Sequence, residues 1–302
     1  MESHEENVVV GYGETNEPEA IPVSLVEETE IASEENVNEE KPTETEKLPI
    51  LILECRVKAS VLKGIVDKVS TLTDEVAVVI DQAGWHIRTV DPAHVAMIRL
   101  DVDMTAFELF RICNPTGDRM ELGIDLDKLR EILKSAKVTK ANDPVINLQA
   151  FRASTDYILV DFDGMTRKAS LFDTSCIDEP KIPNLKLPNS VTMPASDLLA
   201  VLKSCETVSD HVSIRLDAGT LTIIAEGDTD RVSKVFQTDL LIDRNISESA
   251  GVRSDFPLDY MTKLIKSLKG LPAITLHLGN DYPLKIDFPD GSFLLAPRIE
   301  SD

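Results

Sequence analysis

Cysteine and aromatic residues are scarce in this chain of 302 residues. Its four cysteines, Cys55, Cys113, Cys176 and Cys205, stand far apart with no C-x-x-C pair. That spacing argues against a thiolate zinc site and reads as free thiols in a reducing cytosol. Aromatics make up 5% of the residues, so aliphatic side chains must fill the core. No aromatic array exists on which single-stranded bases could stack. No apolar run reaches the ~18 residues of a membrane-spanning helix. The N-terminal stretch lacks the basic start, apolar segment and cleavage site of a secretory leader. Also missing are G-x-S-x-G, H-E-x-x-H, a P-loop and G-x-G-x-x-G. The five histidines, His4, His86, His94, His211 and His277, share no metal-ligand spacing. No catalytic residue, no metal site and no cofactor is therefore expected.

What is abundant is acid, and it is unevenly placed. Residues 1–47 hold fifteen Glu, no Asp and two Lys, a net −13 that leaves −9 of the total −22 for the rest. Such a segment buries too little apolar surface to offset the entropy of ordering it. Residues 1–48 are read as an acidic tail without a packed core.

The remainder repeats itself. KASVLKGIVDKVSTLTDEVAVVIDQAGWHIRTVDP from Lys58 and PASDLLAVLKSCETVSDHVSIRLDAGTLTIIAEGD from Pro194 run in parallel, Ser60 matching Ser196, Thr71 matching Thr207 and Asp74 matching Asp210. Each copy opens with a Ser that suits a helix N-cap. Leu62, Ile65, Val66 and Val69, and Leu198, Val201, Leu202 and Cys205, then recur at helical spacing. The strands VAVVI and HVSIRL follow, each turning tightly into a second strand. DLDKLREILKSAK (125–137) and PLDYMTKLIKSLK (257–269) are a second matched pair of amphipathic helices, each followed by two strands: VINLQA and YILVDF, then AITLHL and PLKIDF. Short turns imply antiparallel pairing and an α+β fold rather than a doubly wound sheet. A first domain over 49–173 and a second over 190–302 are separated by a linker over 174–189. Pro180, Pro183 and Pro188 keep that linker extended.

The helices offer cations: Lys63 and Lys68; Arg130, Lys134 and Lys137; Lys203; Lys263, Lys266 and Lys269. Ordinary solvated faces would look the same. Acids, however, gather in strands and loops at Asp101, Asp103, Asp228, Asp230 and Asp239, and charge segregated in this way suits a positive interior and a negative exterior. RTVDPAHVAM (88–97) places Asp91 beside His94. It is open to three readings: a fragment of a catalytic relay, a loop whose His satisfies its own backbone, or part of a docking surface. The carboxylates of GDTD and DFDG would suit a metal-dependent phosphohydrolase, and would equally suit plain turns.

Six stretches, RTVDPAHVAMIRL, IDEPKIPNL, VSDHVSIRL, AEGDTDRV, FPLDYMTKLIKSL and LLAPRIE, occur in order over about residues 50–302. In that region the chain resembles the sliding clamps of the proliferating cell nuclear antigen (PCNA) family in their archaeal form. The resemblance implies two similar clamp domains per chain, with helices lining a ring and antiparallel sheets outside. It implies three chains closed head to tail around duplex DNA without sequence reading. It implies no catalysis, a clamp-loader ATPase to open the ring, and tethering of DNA polymerase, ligase and flap nuclease. Partners with a Gln and apolar anchors would lodge in a cleft of Val90, His94, Val95, Met97, Ile182, Pro183, Leu185, Pro272, Leu294, Leu295, Ala296 and Pro297. Subunits would meet through RKASLFD and VSKVFQT, at Lys168, Leu171, Val232 and Val235. The helix cations named above would face DNA. No membrane role is implied, and the setting would be cytoplasmic, on the nucleoid of an archaeon or in the nucleus of a eukaryote. A subunit of a heterotrimeric or checkpoint-type clamp stays open. The PDGS turn departs from the family as a clipped hairpin, which puts an outer-edge strand pair in question.

Overall fold

A computed structural model describes residues 48–115, 117, 119–175, 177, 179–183, 185, 187–217, 219–238, 241–246 and 251–298. The expectations for the acidic tail, for Cys176 and for Asp239 lie outside the described residues.

The first half runs β1 (Ile50–Lys58), α1 (Ala59–Val69), β2 (Glu75–Asp81), β3 (Gly84–Val90), β4 (Ala96–Asp103), β5 (Leu109–Ile112), β6 (Met120–Asp125), α2 (Leu126–Lys134), β7 (Val145–Arg152), β8 (Tyr157–Phe162) and β9 (Met165–Ser170). The second runs β10 (Asn189–Met193), α3 (Ala195–Cys205), β11 (His211–Leu216), β12 (Thr220–Glu226), β13 (Arg231–Gln237), β14 (Asp243–Asn245), β15 (Val252–Pro257), α4 (Leu258–Ser267), β16 (Ile274–Leu278), β17 (Leu284–Phe288) and β18 (Gly291–Leu295). The helix and strand order of the two halves is the same.

Each strand pairing among the described residues is antiparallel, as the short turns require. Three sheets result: β5-β1-β7-β8-β9, β13-β12-β11-β15, and a nine-stranded sheet β14-β10-β16-β17-β18-β4-β3-β2-β6. The large sheet is the second half's five strands joined to the first half's four. The seam is β18 against β4, with Leu294 opposite Met97 and Leu295 opposite Ala96. The PDGS turn therefore closes a complete β17–β18 hairpin, Phe288 opposite Gly291, in the middle of the sheet. The expectation of a damaged outer pair is corrected. The turn is short because β18 must lie flush on β4, where Asp101 N donates to the Asp290 carbonyl at 2.7 Å.

The helical stripes are buried as their spacing predicts: Leu62, Val66 and Val69 on α1, and Leu198, Leu202 and Cys205 on α3, are at most 2% exposed. The capping expectation fails. Lys58 and Pro194, not Ser60 and Ser196, hold the N-cap positions, and neither caps by side chain. For α1 the anion is supplied from elsewhere: the Asp143 carboxylate accepts from Ser60 N at 2.9 Å and from Ser60 Oγ at 2.6 Å. On α2, Asp125 does cap, accepting from Lys128 N at 2.9 Å.

Candidate nucleic-acid interface and docking cleft

The four helices form one row. α3 packs on α4, α4 on α1, and α1 on α2, so a helix layer runs unbroken across both halves. Between α1 and α4 lies a groove of about 810 Å³ whose walls include Lys63, Lys263, Lys266 and Lys269, with Asp67 as an acid. Lys203 is exposed on α3; Lys137 and Lys269 are exposed just past the ends of α2 and α4.

The cationic face is thinner than the sequence alone implies. Arg130 pairs with Asp127, Lys134 with Glu131 and Lys263 with Asp259. Lys63 Nζ donates to the Ala136 carbonyl at the end of α2. Exposed pairs of this kind contribute at most about 1 kcal/mol, so a phosphate can compete for these cations. Lys68 departs from expectation entirely. It is 7% exposed, its Nζ stands 5.7 Å from the centroid of the Phe288 ring, and burial pulls its pKa below the ordinary lysine value against the opposing pull of Asp290 and Asp67. Ion solvation is lost there, and only the amphipathic spacing of α1 had placed Lys68 on the open face.

Asp91 is not half of a relay. It is 3% exposed, and its carboxylate accepts from Ala93 N at 3.1 Å, Val95 N at 2.7 Å, Ala96 N at 2.6 Å and the Tyr260 hydroxyl at 2.7 Å. Burial alone raises this carboxyl, but those donors hold it below the usual carboxylate range. The same contact, with burial, pushes Tyr260 up to about 12. Asp91 meets His94 only through the backbone, His94 N donating to the Asp91 carbonyl at 2.9 Å. His94 has φ 56°, in the left-handed region, and its side chain is exposed.

Around this loop the sites read from sequence divide. Ile182, Pro183 and Leu185 of the linker and Leu294 of β18 line one cleft of about 560 Å³. Its other walls were not foreseen: Arg99, Asp101, Lys285, Asp287 and Asp290. Val90, Met97 and Leu294 lie in matched positions across β3, β4 and β18, and Ala296 N donates to the Val95 carbonyl at 2.8 Å. Val90, His94, Val95, Met97, Pro272, Ala296 and Pro297 are not among the cleft's lining residues. Pro272 is exposed in the loop after α4, and Pro297 is half-buried next to Arg298. Leu295 is fully buried. Side chains alternate along a strand, so Leu295 faces the core while Leu294 faces the cleft; the assignment of Leu295 to the cleft wall is corrected.

The polar network that reaches the cleft at Asp101 was legible only as isolated acids. In three dimensions His86 bridges Asp101 at 2.8 Å and Asp81 at 3.0 Å. Arg88 reaches both Asp101 and the linker's Glu179, at 3.3 and 3.5 Å. Burial alone would lower His86, but the carboxylates of Asp101 and Asp81 hold its pKa above the ordinary histidine value. The period-two spacing of His86 and Arg88, and of Arg99 and Asp101, was the available signal.

The candidate subunit strands are both at sheet edges: β9 ends the five-stranded sheet and β13 the four-stranded one. Val235 is 48% exposed. Leu171 and Val232 instead pack partly against the chain's own core, and Lys168 Nζ lies 3.8 Å from the Tyr157 ring centroid. The GDTD carboxylates sit in the β12–β13 turn, while of the DFDG pair Asp161 lies on β8 and Asp163 in the β8–β9 turn of a separate sheet. Asp163 at φ 48° and Gly164 at φ 77° form a tight hairpin turn there. Among the described residues, no three His, Cys, Asp or Glu side chains form a metal-holding cluster. No helix among them is long and apolar enough to cross a membrane.

Known proteins share this architecture. Residues 52–177 match the family described as proliferating cell nuclear antigen, N-terminal domain, and residues 181–295 match its C-terminal domain. The chain is 37% identical over 253 residues to the DNA polymerase sliding clamp of Methanococcoides burtonii, covering 82% of this chain and 98% of that one. It is 35% identical to the Methanosarcina mazei sliding clamp over the same shares. A solved structure of A. fulgidus PCNA with the C-terminal region of FEN-1 bound aligns at TM-score 0.74 and 29% identity, over 83% of this chain and 100% of that chain. The Thermococcus kodakaraensis PCNA structure, at 22% identity and TM-score 0.72 over 82% of this chain and 100% of that chain, shares the fold. Two family domains in tandem, relatives matched almost end to end and the doubled strand order place this chain in the PCNA family of DNA sliding clamps.

Proposed function

We propose that three copies of this chain close head to tail into a ring around duplex DNA and tether replication and repair enzymes to it. The reading involves no chemical step and no cofactor. One observation carries it. β18 and β4 are the counterparts of β9 and β13 in the other half, and they join the halves edge to edge within one chain. β9 and β13 are left as edges. Laying β9 of one copy on β13 of the next repeats a joint the chain already makes with itself, covers two edges that would otherwise invite aggregation, and can close.

The helix row would then face the hole. Lys63, Lys134, Lys137, Lys203, Lys263, Lys266 and Lys269 would neutralise phosphates without reading bases. Closure rather than grip keeps the ring in place, so weak contacts favour sliding. The cleft under the linker would receive short segments of DNA polymerase, clamp loader, ligase and flap nuclease; the A. fulgidus relative with FEN-1 bound supports the last of these.

The test is retention on DNA. A loaded ring stays on nicked circular DNA and runs off once that DNA is linearised. Replacing Lys134, Lys137, Lys263 and Lys266 by Ala weakens retention while the trimer persists. Equal retention on circular and linear DNA rejects the reading. One observation favours a heterotrimer as second reading: β9 carries Arg167 and Lys168, β13 carries Arg231 and Lys234, and neither strand carries an acid. Solution mass by light scattering on the chain alone distinguishes the two.

A further inference from the structure

We infer that Tyr260 is a positioning residue for partner docking, holding the 91–96 loop and the C-terminal segment in their binding arrangement from a helix of the other half of the chain. The inference rests on the reading of the linker cleft as the docking site.

The geometry is a relay of contacts. Tyr260 lies on α4, a member of the helix row. Its hydroxyl donates to Asp91 at 2.7 Å across 169 residues of sequence. The same Asp91 carboxylate gathers the N–H groups of Ala93, Val95 and Ala96, which folds the loop back so that His94 adopts φ 56°. The Val95 carbonyl then receives Ala296 N at 2.8 Å. Ala296 directly follows the β18 residues Leu294 and Leu295, of which Leu294 lines the cleft. One buried carboxylate therefore sets the loop from β3 to β4, and through Val95 the exit of β18.

Three of the four donors to Asp91 are backbone groups of its own loop. The base of the loop is pinned by Val90 opposite Met97, by β4 on β18, and by Ala296 N donating to the Val95 carbonyl. Tyr260 adds a side-chain donor to Asp91 from outside the loop. Removing it leaves the base pinned and the Asp91 carboxylate one donor short, which loosens the apex over residues 92–94. A hydrogen bond to a buried carboxylate is among the stronger neutral-donor contacts. The groups facing this contact are few: Asp259 beside Tyr260, Lys263 with its Nζ 5.6 Å from the Tyr260 ring centroid, and His94 on the loop itself.

The consequence has a pH signature. The carboxylate form of Asp91 organises the loop, and the Tyr260 hydroxyl is one of the groups that keep it ionised on acidification. As pH falls through the native pKa of Asp91 the loop loses its organiser and docking weakens. Without the hydroxyl the carboxyl titrates at higher pH, so the acid limb of docking moves upward.

The experiment uses the full chain and a fluorescent synthetic peptide of the C-terminal region of FEN-1, with anisotropy measured from neutral pH downward. Tyr260→Phe is expected to weaken the peptide by roughly tenfold at neutral pH and to move the acid limb upward, with unchanged solution mass and thermal transition. Asp91→Asn is expected to weaken binding further and to remove the Asp91 share of the acid limb, because its amide does not titrate, leaving the share set by the cleft carboxyls Asp101 and Asp287. Equal affinity and an unmoved acid limb in Tyr260→Phe overturn the inference even though wild type binds. Loss of affinity with an unmoved acid limb also overturns it, since general loosening of α4 would do that. If wild type does not bind the peptide, the docking reading itself fails and the inference falls with it.

Discussion

The Lys68 ammonium on α1 lies over the ring of Phe288 on β17, 5.7 Å from its centroid. The contact packs a helix of the first half against the sheet of the second, with a cation in an almost fully buried place. Because burial lowers the folded pKa of Lys68, the folded chain releases this proton before the unfolded chain does. The charge therefore costs stability at neutral pH. That cost is relieved as pH rises from the lowered native value toward the ordinary lysine value. Lys68→Met is expected to match or exceed wild type by up to about 1 kcal/mol at pH 7, and to lose that margin under alkaline conditions. Denaturant unfolding at both pH values measures it. Retention on circular DNA should be unaffected, in contrast to Lys266→Ala.

Leu294 and Leu295 are neighbours with opposite fates. Leu294→Ala with Ile182→Ala should weaken the FEN-1 peptide by at least about tenfold with stability nearly unchanged. Leu295→Ala should instead cost about 2–5 kcal/mol of stability, because that side chain is fully buried. Calorimetric titration beside chemical denaturation separates the two. Equal effects of both variants on peptide affinity would falsify the alternation.

Gly291 sits at the seam between halves. A Cβ there would stand 2.0 Å from the Arg99 carbonyl oxygen, and that backbone belongs to β4, which cannot yield without breaking the pairing. Gly291→Ala should destabilise by at least about 2 kcal/mol, with hydrogen exchange accelerating along β18 and β4 first. Uniform exchange across all three sheets would argue against a local seam.

The edges β9 and β13 each carry two cations and no acid. In the proposed ring these edges would meet with like charge, only Arg231 being offset, among the described residues, by its pair with Glu226, and salt would screen that opposition. Raising ionic strength from about 0.02 M to about 0.3 M shortens the Debye length several-fold, so the trimer fraction measured by light scattering should rise. A fraction that falls with salt would mean that the joint is held by opposite charges drawn from neighbouring turns.

Much of the architecture was legible because it is periodic. The stripe Leu62, Ile65, Val66, Val69 and its repeat Leu198, Val201, Leu202, Cys205 can be buried only on one side of a helix. Alternation in VINLQA and YILVDF leaves only a strand. The doubled order of elements follows from the doubled pattern. Of the cleft, Ile182, Pro183, Leu185 and Leu294 were reached through the resemblance to the clamp family, not through periodicity.

The rest was decided by distance in space, which periodicity does not encode. The sequence by itself determined which residues must be helical, which extended and which sides of them apolar, because these depend on interactions within a few positions. Only the tertiary structure decided that Asp143 caps α1 in place of Ser60, that Lys68 goes inside, that Asp91 answers to Tyr260 rather than His94, and that β18 joins β4 while β9 and β13 stay edges. Each of those outcomes depends on groups brought together from 80 or more residues away, where desolvation and hydrogen-bond geometry, not local spacing, set the energy.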